Sequence, residues 1–198
     1  MIEFFTHLTA IDFSILDFIQ THMRSPLLNT IMPYITYLGE SGILWIILTI
    51  ALLCAKKYQR DGFAVAAALI LCLIFCNFLL KNIVARTRPF DIITTVGLLI
   101  KPPTDFSFPS GHTSAAFAAA TALLLCKNKL PGIPALVLAV LIAFSRLYLY
   151  VHFPSDVLGG IVLGVAVAFA GYAIVDLIYK KIGKRKRGDG YESGDNKL

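Results

Sequence analysis

Apolar residues along this chain come in long runs rather than in alternation. Five runs read as membrane-spanning helices: residues 42–55, 62–80, 113–126, 131 to about 151, and 157–178. Polar signals bound them. The first ends at Lys56-Lys57, the third at Lys127 and Lys129, and the fifth in a basic tail, while Pro131 and Pro134 open the fourth. Ahead of these, residues 26–39 are apolar but short for a span, with Pro33 placed to kink them. The pattern leaves open whether they cross the bilayer or lie at its surface. Residues 4–22 mix apolar positions with Asp12, Asp17, His7 and His22. Ile11, Ile15, Phe18 and Ile19 fall near one helical face, which predicts an amphipathic interfacial helix within residues 1–23. The expected architecture is all-α: an integral membrane bundle of about six helices, with five clear spans, a short kinked first one, and the N-terminal amphipathic helix. Residues 1–187 form one membrane-embedded domain in this reading, and the polar, glycine-rich residues 188–198 are a disordered cytoplasmic tail.

Composition agrees. The chain has 198 residues, of which 57% are hydrophobic and 15% charged, with mean hydropathy +0.74. A soluble domain carries about 25% charged residues. The net charge of +6 owes much to the tail Lys180–Arg187, which reads as a cytoplasmic anchor and a contact for anionic lipid. No base-reading or aromatic module accompanies it, so nucleic acid is not an expected partner. Cys54, Cys72, Cys76 and Cys126 all lie in apolar runs without CxxC spacing, so neither disulfides nor a zinc site are expected. Glu3, Asp12 and Asp17 argue against a signal peptide.

Charge also sets a topology. Lys56/Lys57/Arg60, Lys127/Lys129 and the tail are separated by two spans each time, so parity puts all three on one side, read as cytoplasmic. Residues 81–110 and 145–156 then share the opposite, extracytoplasmic layer. That layer carries Lys81, Arg86, Arg88, Lys101 and Arg146, against the positive-inside bias, which points to an anionic ligand.

Three clusters fall there. In KNIVARTRP (81–89), Lys81 and Arg88 are seven apart and share a face if the helix continues that far; snorkelling to headgroups is the alternative. In PSGH (109–112), Ser110 is placed to cap a helix whose free N–H groups would face an anion. In SRLYLYVHFPSD (145–156), His152 and Asp156 are four apart, so a carboxylate can hold one imidazole nitrogen and free the other as nucleophile. Tyr148 and Tyr150 read as interfacial aromatics. Together these make a phosphoryl-transfer site. Lys81, Arg88 and Arg146 supply positive charge, Ser110 and the Gly111 backbone add hydrogen bonds, one histidine attacks phosphorus, and the other protonates the departing oxygen. With no paired carboxylates to hold a metal, the cations are expected to replace one; no metal or cofactor is expected.

The three stretches match, in order, the motifs KxxxxxxRP, PSGH and SRxxxxxHxxxD. In this the chain resembles the type 2 phosphatidic acid phosphatase (PAP2) superfamily, and is similar to its small bacterial phosphatidylglycerophosphate phosphatase B and undecaprenyl pyrophosphate phosphatase group. The resemblance implies a helical bundle of the PAP2/haloperoxidase type with its site at the outer membrane surface. It implies that Lys81, Arg88, Arg146, Ser110 and Gly111 bind phosphate. It implies that His112 is the general acid, His152 the nucleophile that becomes phosphohistidine, and Asp156 the residue that orients His152. The expected protein is a multi-pass plasma-membrane lipid phosphatase, with a membrane lipid phosphate as partner and its C-terminus cytoplasmic. It removes a terminal phosphate from undecaprenyl diphosphate or phosphatidylglycerol phosphate; phosphatidic acid or broad specificity is the alternative. Segment 26–39 and loop 90–107 are expected to shape lipid entry. A vanadate-type haloperoxidase and a non-enzymatic lipid-binding protein are the rivals from other classes; oligomeric state is not legible.

Overall fold

The computed structural model describes the backbone of residues 2–192 and the side chains of residues 9–182, so part of the expected tail lies outside the described residues. Within them all regular structure is helical: α1 Ile2–Phe18, α2 Pro26–Leu38, α3 Ile43–Cys54, α4 Gln59–Cys72, α5 Lys81–Val84, α6 Pro89–Ile92, α7 Gly111–Leu125, α8 Gly132–Tyr148 and α9 Pro154–Glu192. Helices α4 and α5 are joined by a π-helical stretch, Leu73–Leu80.

Residues 26–39 and 42–55 are not two separate crossings. They form one apolar passage, Pro26–Cys54, of 29 residues. It is broken between Gly39 and Ile43, where Ser41 (φ 50°) and Gly42 (φ 67°) take left-handed backbone. Irregular backbone at membrane depth survives only where protein or a lined cavity satisfies it. Here the break abuts protein: a Cβ on Gly39 would stand 3.0 Å from Ile142 and 3.1 Å from His112. The passages Lys56–Ile92 and Pro154–Ile182 are likewise long and apolar enough to cross a bilayer, and α7 and α8 are shorter apolar helices. The bundle is therefore five passages plus α1. Leu27, Phe78, Ile83 and Val162 are among the large apolar side chains left exposed on its outside, as lipid contact requires.

The centre is α7 against α9. Ala116, Ala118, Ala119, Ala120 and Ala122 are fully buried, so backbones approach closely. A Cβ on Gly164 would fall 2.5 Å from the Ser114 carbonyl, and one on Gly160 would fall 2.9 Å from the Ser110 carbonyl. These α9 glycines hold the start of α7 at a set depth.

The two ends differ in charge. At one end, Arg60 pairs with Asp176 and lies over the Tyr179 ring, which brings the start of α4 to the basic end of α9. Cys126, just before Lys127, stands near Asp61. The three basic clusters thus share one end, as parity required. All the candidate chemistry lies at the other.

Helix α1 divides its faces between lipid and protein. Ile11, Ile15 and Phe18 point away from the protein, and the inward face carries Asp12, Leu16 and Ile19. The apolar face is free to meet lipid, while a carboxylate is buried in protein. Tyr148 and Tyr150 depart from the interfacial reading. Both are buried. The Tyr148 hydroxyl donates to Asn29 (2.7 Å) and accepts from the Ser25 N–H (3.2 Å), tying α2 to the turn after α8.

Candidate active site

Lys81 and Arg88 do meet, but not along one helix face. The helix stops at Val84 because Ala85 adopts left-handed backbone (φ 47°), and residues 85–88 run without helical structure to Pro89. This turn folds Arg88 back under the bundle, where it is 2% exposed, while Lys81 is 7% exposed. Both cations converge on Asp105 in the loop before PSGH. Arg88 Nη2 donates to Asp105 Oδ1 at 2.6 Å, and Lys81 Nζ pairs with Asp105 Oδ2. Burial alone would raise the Asp105 carboxyl, but the Lys81 hydrogen bond and the Lys81 and Arg88 charges outweigh it and hold it at about 2. Asp105 is an internal anion on this pair of cations, and it is half exposed. Nothing in the spacing of Asp105 marks it, because its partners lie 24 and 17 residues away.

Arg146 closes the last turn of α8 and is 2% exposed. It donates to Thr36 Oγ1 of α2 at 2.6 Å, and its Nε has no partner. A buried guanidinium held by one neutral hydroxyl is costly unless an anion completes its fork.

Ser110 caps α7 as the motif predicts. Its Oγ accepts from the Thr113 N–H (3.5 Å) and the Thr113 hydroxyl (2.9 Å), which leaves its hydrogen to donate. Its own N–H donates to the Asp156 carbonyl at 3.1 Å, which joins the PSGH and third clusters directly. A Cβ on Gly111 would stand 3.5 Å from Asn77 Oδ1 and 3.7 Å from Lys81 Nζ, so this backbone faces the cation-lined space. Asn77 belongs to the π-helical stretch, whose wider turn rotates the residues that follow it.

His152 and Asp156 also meet in a different way than one helical turn. His152 precedes the helix, and Asp156 sits in the first turn of α9. Asp156 Oδ2 accepts from the Phe153 N–H (2.9 Å), the reach-back contact of a capping box, and from the Ser107 hydroxyl (2.5 Å). His152 Nδ1 lies 3.6 Å from the same oxygen. On the other side of the ring, Arg88 Nη1 lies 3.1 Å from His152 Nε2. A guanidinium has no lone pair to offer, so Nε2 is the acceptor and the neutral ring carries its proton on Nδ1. Burial first, then the Arg88 and Arg146 charges, push His152 well below the ordinary histidine range. The result is a neutral imidazole with a lone pair aimed at the cations.

His112 lies in the first turn of α7, beside the α2–α3 break. Its Nε2 is 3.4 Å from Glu40 Oε2, a carboxylate that spacing did not single out. The one signal was its position, a lone acid in Gly39-Glu40-Ser41-Gly42 between apolar stretches. Arg86, noted only as one more cation, reaches Asp156, Ser155 and Asp12 (2.7, 2.6 and 2.8 Å). His22 is exposed and stacked on Phe18, and Lys101 is exposed; neither joins the site. The side chain of His7 lies outside the described residues.

Three positive-φ residues other than glycine, Ser41, Ala85 and Tyr150, lie beside Glu40, Arg86 and the His152 turn. Such backbone costs of order 1–3 kcal/mol per residue and gathers at functional sites.

Comparison with known proteins gives the family. The PAP2 superfamily model matches residues 61–180. The chain is 33% identical over 147 residues to an undecaprenyl-diphosphatase of Sulfolobus acidocaldarius, covering 74% of this chain and 70% of that one. It is 36% identical over 164 residues to phosphatidylglycerophosphatase B of Bacillus subtilis, covering 74% and 75%. Among solved structures, Aquifex aeolicus LpxE superposes with TM-score 0.70 at 29% identity, over 80% of this chain and 93% of that one. A transmembrane PAP2-type phosphatidylglycerolphosphate phosphatase from Bacillus subtilis superposes with TM-score 0.68 at 32% identity, over 89% and 88%. With three ordered motifs, a converging cation site and a match over more than half its length, the chain belongs to the PAP2 superfamily of membrane phosphatases.

Proposed function

We propose that this phosphatase removes the terminal phosphate of a lipid phosphate or diphosphate through a phosphohistidine formed on His152. One observation carries the reading. Among the described residues, four buried side-chain polar atoms lack a hydrogen-bond partner, and three of them are Arg146 Nε, His112 Nε2 and His152 Nδ1. Native structures leave few such atoms unpaired without cause. Here a bound phosphate would supply the missing acceptor to Arg146 and draw the two histidines into their contacts.

The chemistry follows from the atoms. The phosphate displaces the half-exposed Asp105 from Lys81 and Arg88, and Arg146 and the Ser110 hydroxyl take further oxygens. Arg88 leaves His152 Nε2 for the phosphate, which frees the lone pair. Nε2 attacks phosphorus, the bond to the lipid oxygen breaks, and that oxygen takes a proton from His112. Nδ1–H develops positive charge and closes on Asp156; a normal N–H···O separation is about 2.9 Å. Water then attacks the phosphohistidine, giving its proton to His112, the P–N bond breaks, and inorganic phosphate leaves. Glu40 Oε2 stands 3.4 Å from Nε2 of the His112 ring. Charge stabilisation is assigned to the three cations, with no metal.

Among substrates, undecaprenyl diphosphate and phosphatidylglycerol phosphate are favoured, since relatives that act on each cover most of the chain. Phosphatidic acid is the alternative, because the cations contact only the phosphate that all three share. Phosphate release from the three lipids in detergent, with and without EDTA, tests the reading. Turnover of one or both favoured lipids, unchanged by EDTA, is expected; loss with EDTA that a divalent ion restores defeats the metal-free mechanism.

The site is further proposed to face outward, with the C-terminus cytoplasmic. The support is the convergence of the three basic clusters at the opposite end of the bundle. Thr95 is exposed in the loop after α6. A Thr95→Cys variant should react with a membrane-impermeant thiol reagent added outside intact cells. Reaction only after the cells are opened would reverse the topology.

A further inference from the structure

We infer that α1 is part of the catalytic apparatus, with Asp12 acting through Arg86 as a positioning residue for Asp156. The inference rests on the proposed role of Asp156 in orienting His152.

Asp12 is 2% exposed, on a helix whose Ile11, Ile15 and Phe18 face outward. Every contact it makes is to the site end of the bundle. Its Oδ1 accepts from the Ser155 N–H at 2.9 Å, and its Oδ2 accepts from the Ser155 hydroxyl at 2.5 Å and from Arg86 Nη2 at 2.8 Å. Ser155 is the second residue of α9, so its N–H is one of the orphan donors of a helix start. Asp12 thus caps α9 from another helix, one residue from the catalytic aspartate.

Arg86 completes the link. Its Nη1 donates to Asp156 Oδ1 at 2.7 Å and to Ser155 Oγ at 2.6 Å, and its guanidinium lies 4.0 Å over the Phe153 ring. Phe13 of α1 meets the same ring edge-on at 5.1 Å. One cation is therefore divided between two buried carboxylates. Asp12 draws the guanidinium away from Asp156, which keeps negative charge on the oxygen facing His152 Nδ1. Without Asp12, Arg86 neutralises Asp156 alone, and less charge remains to stabilise the imidazolium as the P–N bond forms.

The test compares Asp12→Asn, Asp156→Asn and the double variant for kcat, KM and inhibition by inorganic phosphate. Asp12→Asn should lower kcat about 10- to 100-fold, with KM and phosphate inhibition within about twofold, because Lys81, Arg88 and Arg146 are untouched. On the Asp156→Asn background the same change should cost less than about threefold, since Asp12 then has nothing to act through. Full kcat in Asp12→Asn, or an equal loss on both backgrounds, overturns the inference. If Asp12→Asn does not fold, Arg86→Lys decides. It keeps the charge but loses the fork that spans two carboxylates, and should lower kcat without weakening phosphate inhibition. A joint fall of kcat, phosphate affinity and thermal stability would mean a structural role only. Wild-type turnover by Asp156→Asn itself would instead defeat the proposed role of the His152–Asp156 pair, whatever Asp12 does.

Discussion

His152→Ala is expected to lower phosphate release by about four orders of magnitude or more, with the folded state and phosphate binding retained. The ring is 1% exposed and is the one imidazole whose lone pair faces Arg88. Removing it removes the atom that bonds to phosphorus, and the remaining cations can only assist direct attack by water. The change deletes a ring from a polar pocket rather than from the apolar core, so the bundle held by α7 and α9 should persist. The measurement is kcat alongside thermal unfolding with and without inorganic phosphate. A loss of less than tenfold would replace the covalent route with direct hydrolysis. A phosphorylated species trapped by rapid acid-free denaturation in the wild type, and absent from His152→Ala, would secure it.

Arg146→Met is expected to separate stability from activity. The wild-type guanidinium is buried with Thr36 as its hydrogen-bond partner and Nε unsatisfied. An uncompensated buried charge is a cost that a similar-sized apolar side chain removes. The variant should therefore unfold at a temperature roughly 2–4 °C higher for each kcal/mol gained. It should also lose on the order of 10²–10³ in kcat, as when one preorganised donor is taken from a transition state. Thr36 keeps its place in α2, so the wall of the site survives. Stabilisation by added phosphate, clear in the wild type, should shrink in the variant. If Arg146→Met is less stable without phosphate, Arg146 is a packing residue and the vacant-anion reading of the site fails.

Both expectations depend on how the site is assembled, and the sequence was uneven on this. The residues Lys81, Arg88, Ser110, Gly111, His112, Arg146, His152 and Asp156 were legible from three short motifs, and the cations among them, crowded at one membrane depth, pointed to an anion. Their geometry was less so. Lys81 and Arg88 meet across the left-handed turn at Ala85, and alanine is not a residue from which such a turn is read. His152 and Asp156 meet across a helix start rather than along a turn, because the aspartate also caps the helix.

The remaining site residues had little or no local signal. Asp105, Glu40, Thr36 and Asp12 each act on a partner far along the chain, and a single polar residue beside an apolar run looks the same whether it faces water or a buried cation. Asp12 shows this most clearly. In the sequence it is one acid among apolar residues; in the bundle Ile11, Ile15 and Phe18 face outward and Asp12 is buried beside Leu16.

By itself, the chain determined that it is a helical membrane bundle, that three basic clusters share one end, and that the candidate site residues gather at the other. Those follow from hydropathy and charge, which are summed along a segment and do not depend on how segments touch. The tertiary structure decided that residues 26–54 form one broken passage and that Asp105 pairs with both Lys81 and Arg88. It also decided that His152 presents Nε2, and that α1 reaches Asp156 through Arg86. Each of these is a hydrogen bond or a backbone reversal set by a few ångströms of packing, and no periodicity in one segment carries that distance.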